Sequence, residues 1–314
     1  MKKGLITTWL LLLVLSVRAQ DSQDVFNFLR LPVSAHVAAL GGDNITIADD
    51  DATLVFHNPA LANMVSDKTL NLNMMTYMQG SVTASASFTK AVGDRGTWGV
   101  QGRFINYGEM KETTVNNEQI GTFNARDVAL SGTFAYGLAE NLNGGITTKL
   151  VTSYIGNYNA IGVCVDLGLN YYNPDTEWSF GAVARNLGGQ VKAYEDDYER
   201  LPLDLQLGVT KRLIGSPLRL SATLVRLNDW QYGIGKHLVI GADLMLSEQF
   251  YLAAGYNGLR ASEMKIVSGE EESSHGAGLS LGAGMQLERF KLHVAYAKYH
   301  VSSTSLVINI SYAL

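Results

Sequence analysis

From residue 68 to the end of the chain, apolar and polar residues alternate with a period of two, almost without interruption. The alternation predicts fourteen strands, at 68–79, 82–91, 96–106, 126–138, 145–155, 160–172, 177–187, 203–213, 218–227, 237–246, 250–260, 276–287, 290–300 and 304–314. In the sixth, Ile161, Val163, Val165, Leu167, Leu169 and Tyr171 share one face and Gly162, Cys164, Asp166, Gly168 and Asn170 the other. The last carries Leu306, Ile308, Ile310, Tyr312 and Leu314 on one face and ends the sequence.

Strands of about 11 residues, rising about 3.3 Å each and tilted roughly 40°, climb about 28 Å, close to the apolar band of a membrane barrel. Loop lengths give a second indication. Connections from even to odd strands are short, as at 92–95, 173–176 and 288–289. The long ones, 107–125, 188–202, 228–236 and 261–275, all run from odd to even. This parity fits an antiparallel barrel with both termini in the periplasm and its long loops outside. A soluble β-sandwich gives no reason for it.

The strand grammar begins late. Lys2 and Lys3, an apolar run over 5–17 and Val17-Arg18-Ala19 read as a secretory signal peptide. The domains predicted are thus a signal peptide (1–19), an N-terminal plug (20–67) and the barrel (68–314). Within the plug, residues 31–64 do not alternate. Pro32 and Ser34 can open a helical turn that Gly41-Gly42 closes with a left-handed cap. Asn58-Pro59 is a second helix start, with Asn accepting free N–H groups and Pro placed where no N–H is needed. The acidic run Asp49-Asp50-Asp51 lies between them.

Composition supports the barrel. Charged residues make up only 17%, where a soluble domain has about a quarter. Loss of Lys2, Lys3 and Arg18 with the signal peptide takes the formal charge from −5 to −8 (−5 − 3), with no basic stripe for nucleic acid. The face opposite the apolar one collects Arg103, Lys149, Arg185, Arg219 and Lys291 with Asp127, Asp166, Asp204 and Asp243. A pore selective for one ion sign favours one sign of lining charge. Mixed charges with small neighbours fit an interior that pairs them around an insert, and fourteen strands leave room for one.

Candidate chemistry is sparse. The six histidines have no metal spacing, and no HExxH motif occurs. His293 near Ser305 or Asp243 could be drawn as a hydrolase site, but no Gly-x-Ser-x-Gly elbow supports it, and a hydrogen-bonded interior is preferred. Asp49–Asp51 lack the oxygen spacing of an EF-hand and read as a solvated or capping turn. Cys164, the single cysteine, excludes an intrachain disulfide and reads as a small inward residue. The expectation is a non-enzymatic protein without metal or cofactor.

The outward loops hold the remaining candidates. Tyr194-Glu195-Asp196-Asp197-Tyr198-Glu199 mixes acids with tyrosines, and Glu270-Glu271-Glu272 forms a second acidic knot. They read equally as a protein interface or as solvated loops that repel neighbouring lipopolysaccharide.

Phe26-Asn27-Phe28-Leu29-Arg30-Leu31-Pro32, Ala39-Leu40-Gly41-Gly42 and Phe56-His57-Asn58-Pro59-Ala60-Leu61 resemble the PorV/PorQ family, most narrowly its PorQ-type members in the type IX secretion system. The similarity is specific over about residues 26–63. The broader superfamily is that of FadL-like outer-membrane barrels, whose N-terminal hatch carries an Asn-Pro-Ala motif matched by Asn58, Pro59 and Ala60. The resemblance implies a scaffold barrel in an attachment complex with a PorU-like sortase, a PorV-like barrel and a PorZ-like surface protein, set in outer-membrane lipid. It would anchor the PorZ-like protein while the sortase joins cargo to lipopolysaccharide. A FadL-like channel for hydrophobic small molecules is the alternative.

Overall fold

A computed structural model of the chain describes residues 24–314 apart from 79, 231, 232, 269, 270 and 274, so the signal peptide lies outside the described residues. Fourteen antiparallel strands close into one barrel. They are β1 (Thr69–Thr76), β2 (Val82–Val92), β3 (Gly96–Thr113), β4 (Gln119–Ala139), β5 (Leu142–Ile155), β6 (Tyr158–Asn173), β7 (Trp178–Lys192), β8 (Asp204–Arg212), β9 (Leu218–Leu224), β10 (Leu238–Met245), β11 (Phe250–Asn257), β12 (Leu279–Gln286), β13 (Phe290–His300) and β14 (Ser303–Ala313). Each pairs with its sequence neighbour, and β1 closes the ring on β14 in a register running from Thr69↔Ala313 to Met75↔Val307.

The period of two sorts the side chains as the sequence predicts. Leu72, Val100, Leu130, Leu150, Val163 and Leu281 stand exposed on the outer wall. Arg103, Asp127, Asp166, Arg185, Asp204, Arg219, Asp243 and Lys291 are buried on the inner wall. Tyr136, Tyr171, Trp178, Phe250 and Tyr312 stand exposed outside, near the strand ends that carry the short turns. That is where a membrane barrel places its aromatic girdle. The short turns 93–95, 140–141, 174–177, 213–217, 246–249 and 287–289 share one end, and the longer connections 193–203, 225–237 and 258–278 share the other.

Several strand ends differ from expectation by one to five residues, and two further departures change the architecture. The predicted loop 107–125 is mostly strand, because β3 and β4 continue as a protruding hairpin after a register shift between Asn106 and Glu109. The predicted eleventh strand ends at Asn257 rather than 260. The Asn257 side chain there accepts from the Arg260 backbone N–H and starts a short helix, Gly258–Glu263. Among the described residues, no helix is long and apolar enough to cross a membrane.

Residues 24–66 run through the inside of the barrel. Val25 N–H donates to Arg200 O on the long-loop side, and Asn63 Nδ2 donates to Arg95 O on the short-turn side. The first described residues therefore lie at the mouth opposite the start of β1. Its one α-helix, α1 (Ala35–Ala39), packs on β11–β14.

Candidate functional site

The interior is where the chain concentrates its polar chemistry, and caps and small wall residues set its shape. The Ser34 side chain accepts from Val37 N–H and starts α1. Gly41 and Gly42, at φ 104° and 96°, end it with a Gly42 N–H to Val37 O bond, the left-handed closure their sequence position predicts. Gly41 O then accepts from Asn257 Nδ2 and Arg260 Nη1, both at 3.1 Å. Pro32 is buried just ahead of this turn.

Asn58 does three things. Its Oδ1 accepts from Ala60 N–H at 3.0 Å, and its Nδ2 donates to Ile45 O at 2.8 Å and to Leu169 O of β6 at 3.1 Å. It caps the 3-10 turn Pro59–Met64 and ties it to the wall at once. The wall admits this contact only because it lacks side chains there. A Cβ on Gly168 would lie 2.1 Å from Asn58 Oδ1, and one on Gly145 would lie 2.4 Å from Ala60 N.

The acidic run ties the segment to the wall as well as capping a turn. Asp49 accepts from Arg219 Nη1 through both oxygens, at 2.8 and 2.9 Å, and Arg219 Nε donates to Asp243 at 2.7 Å. Burial alone would raise the Asp49 carboxyl, but Arg219 holds it below the ordinary carboxylate range. Asp50 pairs with Lys291 and accepts from Ser66 N–H at 2.7 Å. Asp51 caps the turn Ala52–Phe56 by accepting from Thr53 N–H at 2.8 Å. Only Asp51 performs the capping role expected of the run, because its neighbours meet cations that the sequence places far away.

Several other lumenal charges have partners, although Arg103 Nε and Nη2 are buried without a hydrogen bond. Lys149 meets Asp166 at 2.5 Å, Asp127 accepts from Tyr107 Oη at 2.7 Å, and Arg185 stands 3.9 Å from Asp43. His57 accepts from Ser34 N–H, and burial together with Arg185, Arg103 and Lys149 holds its imidazole well below its usual pKa. Beside it lies a cavity of about 30 Å³ bordered by Leu29, His57, Arg103, Lys149 and Arg185, enough for about one or two water molecules.

His293 is not bonded to a serine. Its Nδ1 meets Tyr251 Oη at 2.6 Å. His36 stacks on Tyr251 with ring centroids 4.2 Å apart, and its Nε2 lies 2.9 Å from Asp243 Oδ1. His36, Asp51 and His293 bring one ligand-capable atom each within 4.8 Å of the others. Sequence spacing cannot show this group, because 257 positions (293 − 36) separate its two histidines. Cys164 is a buried inward residue, as expected.

At the long-loop end, Tyr194, Glu195, Asp196, Asp197 and Glu199 join Ile155 and Tyr158 around an open pocket of about 460 Å³. Tyr194 Oη bonds Ser153 Oγ, which anchors the base of this loop to β5, and Tyr198 projects into solvent at 66% exposure. Glu271 and Glu272 fall in a short strand pair, Ile266–Ser268 with Glu271–Ser273, and Glu270 lies outside the described residues. A smaller cavity of about 220 Å³ lies between Arg30, Asp43, Arg226, Arg260 and Tyr299.

No family model matches the chain, and no curated protein matches it. Solved structures do. The Pseudomonas putida toluene transporter TodX is similar at 14% identity and TM-score 0.57, over 93% of this chain and 98% of that one. A TodX deltaS2S3 mutant monoaromatic hydrocarbon channel reaches TM-score 0.61 at 14% identity, over 89% of this chain and 98% of that one. A Pseudomonas aeruginosa FadL homologue reaches 0.53 at 11%, over 89% and 97%. With the inward charges, outward apolar wall and strand closure, these likenesses establish the fold: a closed fourteen-stranded antiparallel β-barrel, FadL-like in architecture.

Proposed function

We propose that the chain is a non-enzymatic scaffold barrel of the outer membrane, with its long loops outside, that anchors a surface protein of a type IX attachment complex. The supporting observation is the state of the lumen. Residues 24–66 fill it and tie to the wall through Asp49–Arg219–Asp243, Asp50–Lys291 and Asn58–Leu169. A barrel so filled serves as a rigid membrane platform more readily than as an open pore. The Tyr194–Glu199 pocket, with two tyrosines and four acids, offers a surface for a PorZ-like partner. The resemblance over residues 26–63 supplies the complex, including the PorU-like sortase and PorV-like barrel. Affinity capture of the chain from detergent-solubilised outer membranes is expected to recover PorZ-like and PorU-like proteins. Recovery of the barrel alone would overturn the reading.

The second reading is a channel for hydrophobic small molecules, and the solved neighbours favour it. TodX, CymD and the FadL homologue share the fold, and the first two carry toluene or monoaromatic hydrocarbons by name. Against it, the lumenal cavities near Arg103 and Arg260 are small and rimmed by charge. Uptake of an apolar tracer into proteoliposomes above the rate of empty vesicles would move the assignment to this reading.

A further inference from the structure

We infer that His36, Asp51 and His293 form a binding site for a single divalent transition cation, zinc first, which fastens the N-terminal segment to the barrel wall. His36 and Asp51 belong to the segment and His293 to β13, so one ion would cross-link the two. All three residues are buried, His36 and His293 at 1% and 0% exposure and Asp51 at 0%. One potential ligand atom of each lies within 4.8 Å of the others.

The hydrogen bonds say which atoms. His36 Nδ1, Asp51 Oδ2 and His293 Nε2 are buried without a hydrogen-bond partner, whereas the opposite atom of each side chain is engaged. Asp51 Oδ1 accepts from Thr53 N–H and Oγ1–H, at 2.8 and 2.7 Å. His36 Nε2 stands 2.9 Å from Asp243 Oδ1 and 3.3 Å from Arg219 Nη2, and the tautomer that donates from Nε2 to the Asp243 carboxylate leaves the Nδ1 lone pair free. His293 Nδ1 faces Tyr251 Oη at 2.6 Å, and donation to that oxygen leaves the Nε2 lone pair free. Buried polar atoms are seldom left unpaired, and one on each of three residues that group together asks for a shared partner. A carboxylate behind one ligating histidine and a hydroxyl behind the other is the outer support that metal-bound imidazoles use.

Donor type and charge agree. Two imidazoles and one carboxylate suit zinc with a fourth position left for water, and also suit ferrous iron. Ligand atoms on a tetrahedral zinc stand about 3.4 Å apart at bonds of about 2.1 Å, so closure asks for side-chain shifts of less than about 1 Å each. Four carboxylates (Asp49, Asp50, Asp51, Asp243) surround the group with two cations, Arg219 and Lys291. The balance of −2 is what a divalent ion neutralises.

The test uses the full mature chain without a histidine tag, purified in detergent, stripped with chelator, loaded with zinc sulfate and assayed by plasma mass spectrometry. One zinc per chain is expected for the wild type. Asp51→Asn, which keeps the Oδ1 cap, and His293→Gln are expected to lose that stoichiometric zinc, while His57→Asn keeps it. A heat-modifiable gel shift verifies that each variant barrel is closed. Zinc is further expected to slow proteolysis of residues 24–66 at least about fivefold in the wild type and not in Asp51→Asn. Absence of stoichiometric zinc from the wild type, or zinc retained at the wild-type level in the two ligand variants, would overturn the site.

Discussion

The segment's seat depends on single atoms that the wall omits. A side chain on Gly145 would meet the Pro59–Ala60 backbone, and one on Gly168 the Asn58 amide and the Pro59 ring. Gly168→Ala is predicted to weaken docking of the segment by about 1–3 kcal/mol, the usual cost of overpacking, while the barrel still closes. Protease sensitivity of residues 24–66 in heat-modifiable protein measures it, and unchanged protection would refute it. Asn58→Ala removes a cap and a wall bond together and is predicted to cost about 1–3 kcal/mol in the same assay. His57 sets a pH dependence. Its folded pKa lies well below 6.5, so the freed segment takes up a proton that the docked one refuses. Its contribution is complete above about 6.5 and declines as pH falls from there toward the folded value. Proteolysis of the segment should accelerate on acidification below about pH 6.5, and His57→Asn should flatten that profile.

At the scale of elements, pairing between the segment and the strands decides stability. Arg219 of β9 holds Asp49 of the segment and Asp243 of β10 together, with all three charges sheltered. Arg219→Met leaves two carboxylates facing each other and is predicted to destabilise the docked state by about 3–5 kcal/mol. Thermal unfolding of the segment, followed by protease pulse, checks this against a matched Arg212→Met control on the exposed strand end. The strands were legible because alternation is local. Wall faces for Arg103, Asp166 and Leu281 follow from position alone, as does the cap at Gly41-Gly42. What the sequence could not show is contact across the lumen. Nothing near Asp49 announces Arg219, 170 positions away, and nothing near His36 announces His293. Local cues also misplace ends: the polar stretch after Asn106 looks like loop but stays paired beyond the bulge, and Asn257 starts a helix inside a run that still alternates.

For the whole molecule, the filled lumen predicts low permeability. In planar bilayers the full chain should show no steady conductance, and a chain lacking residues 24–66 should show a large one. Equal conductance from both would mean that the segment does not seal the barrel. On the proposed scaffold reading, a filled barrel with an acidic, tyrosine-bearing loop pocket at one end would act at its surface, and the Tyr194–Glu199 loop is the proposed contact. The most direct test is the fate of secreted cargo in a strain of the source organism lacking this chain. The scaffold reading predicts cargo released into the medium instead of attached to the cell surface, restored by the wild-type gene. Cargo that remains attached at wild-type levels in that strain would contradict it.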